Sequence, residues 1–121
     1  MAINGWTGNI KSTSSIKIGP YKYFDRSSIS KLIDNYKYEG EFVIVPSEGN
    51  LSFQYVNEKF SHHQKTYRLR SDKLLTKYLF YFLIKNTNKI KSLGNGTTVT
   101  RYNLSIYNEL VEPNINKITQ Q

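Results

Sequence analysis

The stretch EFVIVP at 41–46 constrains the fold more than any other part of this chain. Phe42 to Val45 is an unbroken run of β-branched and aromatic residues, which favour extended backbone. A run with no polar alternation suits a strand in the middle of a sheet, and Pro46 ends it. Ser47-Glu48-Gly49-Asn50 then reads as a turn, followed by a strand over Leu51 to Val56. KFSHHQKTYRLR (59–70) reads as a further strand, with Thr66, Arg68 and Arg70 alternating against Tyr67 and Leu69. Upstream, IKIGPYKYF (16–24) suggests a short strand, a Gly-Pro turn and a second strand. SSISKLIDNYKYEG (27–40) stays open: Ser27 or Ser28 suits a helix cap, whereas the aromatics toward Gly40 favour extended chain. Residues 1–15, small and polar, read as a loose lead-in.

The second half changes period. Leu74, Leu75, Tyr78, Leu79, Phe82 and Leu83 recur at helical spacing, which predicts one amphipathic helix over 72–92. Ser71 is placed to cap it, Asp72 favours the positive end of the helix dipole, and lysines gather toward the other end. Gly94 is placed to stop it. Asn103 is a cap candidate for a short helix through Tyr107, and Pro113 stops anything further. The fold class expected is α+β, strand-rich first and with one main helix late, in a single domain over 1–121 with a tail at 114–121.

Charge is segregated along the chain. Residues 1–58 carry six Lys/Arg and six Asp/Glu, whereas 59–101 carry ten basic residues against Asp72 alone, a net +9. Held in one place, such charge is costly unless a polyanion or an acidic partner meets it. The alternative is a solubility surface on a chain rich in Lys and Asn. There are no cysteines, so disulfides and thiolate metal sites are excluded. No apolar run reaches the ~20 residues of a membrane helix, and MAINGWTGNIKSTSS lacks the pattern of a signal peptide. An intracellular protein, in cytoplasm or nucleoid, is expected.

Catalytic chemistry finds little footing. His62 and His63 are adjacent, so on a strand they point to opposite faces and cannot readily share a metal. Glu39, Glu41 and Glu48 lack a partner that would argue for acid–base chemistry. GNGTT (94–98) is no phosphate-binding P-loop, because the G-x-x-x-x-G-K-[ST] spacing fails. No enzyme, cofactor or metal is expected. What remains is donor chemistry. Asn95, Thr97 and Thr98 lie between Lys89, Lys91 and Arg101. Such a loop can contact phosphate or base edges, or can be an ordinary helix-to-strand connection. GPYKYFDRSS interleaves aromatics with Lys22 and Arg26, and SHHQKTYRLR combines imidazole, amide and cationic donors.

Three segments follow one familiar order. GPYKYFDRSSISKLIDNYKYEGEFVIVPSEGN, KFSHHQKTYRLRSDKLLTKYLFYFL and LGNGTTVTRYNLSIYNELVEP together resemble the target-recognition domains of type I restriction–modification specificity subunits. The resemblance covers about residues 10–113. It implies a compact, twisted, β-rich domain with a packed helix, which does no chemistry and reads half of a bipartite DNA target through its loops. The family's aromatic-glycine loop falls on Tyr21, Lys22, Tyr23 and Arg26, and its E-G-x turn on Glu48, Gly49 and Asn50. Its N-x-H strand falls on Ser61, His62, His63 and Gln64, and its closing glycine loop on Gly94 to Thr98. The family usually continues into a long spacer helix, whereas this chain reads EPNINKITQQ, so a stand-alone copy without a methyltransferase-docking arm is expected.

The expected function is therefore non-catalytic binding of double-stranded DNA, with sequence reading left open. Lys65, Arg68, Arg70, Lys89, Lys91 and Arg101 are the candidate phosphate contacts. Tyr23, Lys22, Arg26, His62, His63, Gln64, Asn95, Thr97 and Thr98 are the candidate base readers. Methyltransferase subunits or a second copy are the further candidate partners, and no membrane. The alternative is a structural or interaction protein of a mobile element or virion, binding nucleic acid nonspecifically or an acidic partner.

Overall fold

The computed structural model describes residues 3–8, 19–25, 31–96 and 99–115. Their elements run β1 (Asn4–Thr7), β2 (Tyr21–Phe24), β3 (Lys31–Ile33), β4 (Tyr38–Pro46), β5 (Gln54–His62), β6 (Thr66–Arg70), α1 (Thr76–Lys85), α2 (Thr87–Leu93) and α3 (Leu104–Val111). A 3-10 turn, Glu112–Asn114, follows and takes in Pro113. The fold is α+β: six strands in one mixed sheet, ordered β1-β6-β4-β5-β2-β3, with helices on one side. β2 runs parallel to β5, and the other described pairings are antiparallel.

The EFVIVP run lies in a central strand, and its lack of alternation now has a cause. Val43 and Val45 pack under the helices with Leu69, Leu79, Leu83, Ile90, Tyr107 and Val111. Phe42 and Ile44 point the other way and join Phe24, Val56 and Phe60 in a second cluster. From Phe42 to Pro46 both faces of β4 are buried, and each large apolar side chain there is worth about 1.5–3 kcal/mol of burial.

The sheet is strongly curled. β4 pairs Tyr38 with Phe60 at one end and Pro46 with Thr66 at the other. Those partners are only six residues apart and joined by a turn, whereas a straight nine-residue strand spans roughly 27 Å. The strand must bend, and Gly40 inside it has φ 135°, an angle that side-chain-bearing residues avoid. The second cluster thus lies on the inside of the curl.

Several expectations need correction. Residues 59–70 are not one strand: β5 ends at His62, the chain turns, and β6 begins at Thr66. The turn holds His63, Gln64 and Lys65, none a typical turn residue, and is closed by Thr66 N donating to the His63 carbonyl at 3.1 Å. The strand expected over 51–56 begins only at Gln54. The lead-in includes β1, which pairs with β6 beside the buried Ile3. The helix over 72–92 is two helices that begin late. Ser71 accepts from the amide of Lys73 at 3.1 Å in a local turn, and Leu75 is still extended at the helix boundary. Asn86 breaks the run: its side-chain amide donates to the Phe82 carbonyl at 2.8 Å and competes with the helical ladder. Asn103 does cap α3, accepting from Ile106 N, and the helix extends to Val111. Ser27 and Ser28 lie outside the described residues.

Candidate nucleic-acid interface

Three turns that are far apart in sequence are fastened together at one place. Residues 94–96 and 99–102 lie against each other, Asn95 and Arg101 exchanging backbone hydrogen bonds at 3.0 and 2.6 Å. Gly96 makes this approach feasible, because its φ is 114° and a Cβ there would meet the Val99 carbonyl oxygen at 2.3 Å. The folded loop docks on the Ser47–Asn50 turn: Gly49 N donates to Thr100 O at 2.9 Å, and Tyr102 N donates to Ser47 O at 2.7 Å. Ser47 in turn holds the third piece, donating to the Lys65 carbonyl from its amide at 3.0 Å and from its hydroxyl at 2.8 Å. Beneath them the Tyr107 hydroxyl donates to the Pro46 carbonyl at 2.5 Å, tying α3 to the end of β4, and burial raises that phenol's pKa.

The three turns enclose a cleft of about 510 Å³ lined by Ser47, Glu48, Lys65, Tyr67, Asn95, Arg101 and Asn103. Its chemistry is mixed: two cations, two amides, a phenol, a hydroxyl and one carboxylate. Lys65 and Glu48 form an ion pair at 2.9 Å, in which the lysine side chain is half exposed and the glutamate mostly covered. A half-exposed pair of this kind contributes little to stability and leaves the lysine available to a stronger anion. Lys89 and Lys91 are exposed on α2, the helix that leads into the folded loop.

The sequence-derived candidates divide on burial. Lys65, Arg101 and Asn95 meet at the cleft, next to His63 and the exposed Gln64. His63 is half-buried, its Nδ1 accepting from Lys65 N at 2.9 Å. Tyr23 and His62 are fully buried, so neither ring can reach a base edge, and both leave the set of readers. Burial holds the His62 imidazole at a pKa of about 3, with the Arg68 cation a further cause. Lys22 is exposed and paired with Glu58 at 2.8 Å. Arg26, Thr97 and Thr98 lie outside the described residues.

Arg68 and Arg70, expected as strand-borne phosphate contacts, both lie on β6 with their guanidinium groups against aromatic rings. Arg70 is exposed but at the far end of β6, five residues beyond Lys65, with its guanidinium 5.0 Å from the Phe42 ring. Arg68 faces Ile44 across the ladder, yet its guanidinium sits 3.9 Å from the ring of Tyr38, six residues back along β4. That reach crosses the inside of the curl. Trp6, 41% exposed, stands over the same guanidinium at 5.4 Å. Trp6 was absent from the candidates, because a lone tryptophan in NGWTG carries no pattern until β1 pairs it with Arg68.

Among the described residues, no group of three or more His, Cys, Asp or Glu is placed to hold a metal ion. Among them also, no helix is long and apolar enough to cross a membrane.

Comparison with known proteins converges on one family. The chain is similar over 93 residues to the type I restriction enzyme EcoDI specificity subunit of Escherichia coli, at 25% identity, covering 77% of this chain and 21% of that one. Its fold matches that of the S subunit of a type I restriction-modification system from M. genitalium, with a TM-score of 0.71 at 18% identity, over 95% of this chain and 35% of the other. The HsdS subunit from Thermoanaerobacter tengcongensis matches with a TM-score of 0.57 at 14% identity, over 99% of this chain and 36% of the other. This chain thus spans about a fifth of the curated relative and about a third of each solved subunit. The model of the type I restriction modification DNA specificity domain matches residues 7–110, and the chain belongs to that family.

Proposed function

We propose that this chain is a non-catalytic unit that binds double-stranded DNA through the surface built by residues 47–50, 63–65, 94–96 and 99–102. The observation that carries the reading is their convergence: three turns from separate parts of the sequence are hydrogen-bonded into one donor-rich cleft. Lys65, Arg101, Lys89 and Lys91 supply the charge for phosphates. Gln64, Asn95 and His63 supply the donors and acceptors that can address base edges. Glu48 holds Lys65 in the free protein, and a phosphate that takes over Lys65 releases the carboxylate for an amino-bearing base edge. Residues 1–121 act as a single domain inside the cell. Methyltransferase subunits or a second copy of the chain are its further candidate partners.

Gel-shift titration of random-sequence duplexes over a salt series tests the reading. Neutralising about five phosphates predicts that log affinity falls against log salt with a slope of about −4 to −5. No retardation at low salt, or a slope near zero, overturns it.

A further inference from the structure

The inside of the curl holds a chain of hydrogen bonds that binding by exposed residues leaves unexplained. Arg68 Nη1 lies 3.1 Å from His62 Nε2 and 3.3 Å from the Thr7 carbonyl. A guanidinium only donates, so Nε2 accepts and the neutral ring carries its proton on Nδ1. That Nδ1 lies 2.8 Å from Thr66 Oγ1, to which it donates, and Thr66 Oγ1 donates onward to the His63 carbonyl at 2.6 Å. The order of donation runs one way, Arg68 to His62 to Thr66 to His63, with the Thr7 carbonyl a second acceptor for Arg68. The last acceptor belongs to the turn that carries His63, Gln64 and Lys65. That turn lacks the Gly, Asn, Asp or Pro that usually fixes a tight connection.

The far end of the chain is anchored equally well. The Arg68 guanidinium lies over Tyr38 at 3.9 Å, with Trp6 and Phe42 at 5.4 and 5.8 Å. An arginine held by three rings and two acceptors has little freedom to swing out to a phosphate. We infer that Arg68, His62 and Thr66 form a positioning relay that sets the His63–Lys65 turn, so that Arg68 serves DNA binding through the turn and not by touching phosphate. The inference deepens the DNA-binding reading and rests on it for the effect on affinity. The relay itself is readable without DNA.

Two readouts test it together. In duplex binding over a salt series, Thr66→Val and Arg68→Lys each weaken affinity by about 3- to 10-fold, the worth of one hydrogen bond, with the salt slope unchanged. Lys65→Ala, the reference for a phosphate contact, lowers the slope by about one. Thr66→Ser, which keeps the hydroxyl, restores the affinity. In the free protein, amide hydrogen exchange at Lys65 and Thr66 accelerates in Thr66→Val while the amides of β4 stay protected, which separates a loosened turn from a failed fold. A slope lowered by about one in Arg68→Ala, or affinity kept in Arg68→Lys, makes Arg68 a phosphate contact and overturns the relay. Unchanged exchange at Lys65 and Thr66 in Thr66→Val overturns it as well. Absence of duplex binding by the unaltered chain overturns the DNA-binding reading, and the exchange data then show whether the relay still orders the turn.

Discussion

His62 has no exposed surface, and its folded-state pKa of about 3 lies well below the ordinary 6.5. Between those values the unfolded chain binds a proton that the folded chain refuses. Stability is therefore complete above about pH 6.5 and declines as pH falls toward 3, by about 1.4 kcal/mol per pH unit at the steepest. Urea unfolding at successive pH values between 7 and 4 should show this decline, and His62→Gln should flatten it. A midpoint independent of pH in the unaltered chain would contradict the buried neutral ring. The same residue shows what sequence withholds. SHHQK displayed the right chemical types, but two adjacent histidines on extended chain face opposite ways, and nothing local says which faces inward. His62 and Tyr23 went inside for tertiary reasons, and Gln64 and Lys65 stayed out.

Elements were legible where a run was strongly patterned and illegible where tertiary contacts override it. EFVIVP announced a central strand because it serves two cores at once, and Asn103 announced a helix cap through its own side chain. The apolar period of 74–83 hid the break at Asn86, since the period continues to Ile90 on the other side of it. The His63–Lys65 turn was invisible because the relay and Ser47, rather than turn residues, hold it. The 94–102 loop is different: its shape depends on Gly96, so a single methyl group tests it. Gly96→Ala forces an L side chain to φ 114° and against the Val99 carbonyl, a strain of about 1–3 kcal/mol. Fluorescence anisotropy should report duplex binding weakened by about tenfold or more, while circular dichroism of the sheet and helices stays unchanged. Full affinity in that variant would remove the loop from the interface.

At the scale of the molecule, the charge segregated along the sequence is partly remixed by the fold. Lys65 and Lys59 of the basic half reach Glu48 and Glu39 of the neutral half, at 2.9 and 3.9 Å. Arg101 and Lys65, both from the basic half, stay together at the cleft. The family and the α+β class were within reach of the sequence, because motif order and binary pattern survive low identity. The curl of the sheet was not, since it follows from β4 pairing with two segments six residues apart. DNA binding as proposed requires one particular surface to meet the duplex. Backbone amide shifts of the isotope-labelled chain, followed by NMR during titration with a short duplex, locate that surface directly. Perturbations concentrated at 47–50, 63–65 and 94–102 are the predicted result; perturbations confined to the exposed Tyr78, Tyr81 and Ile84 of α1 would contradict it.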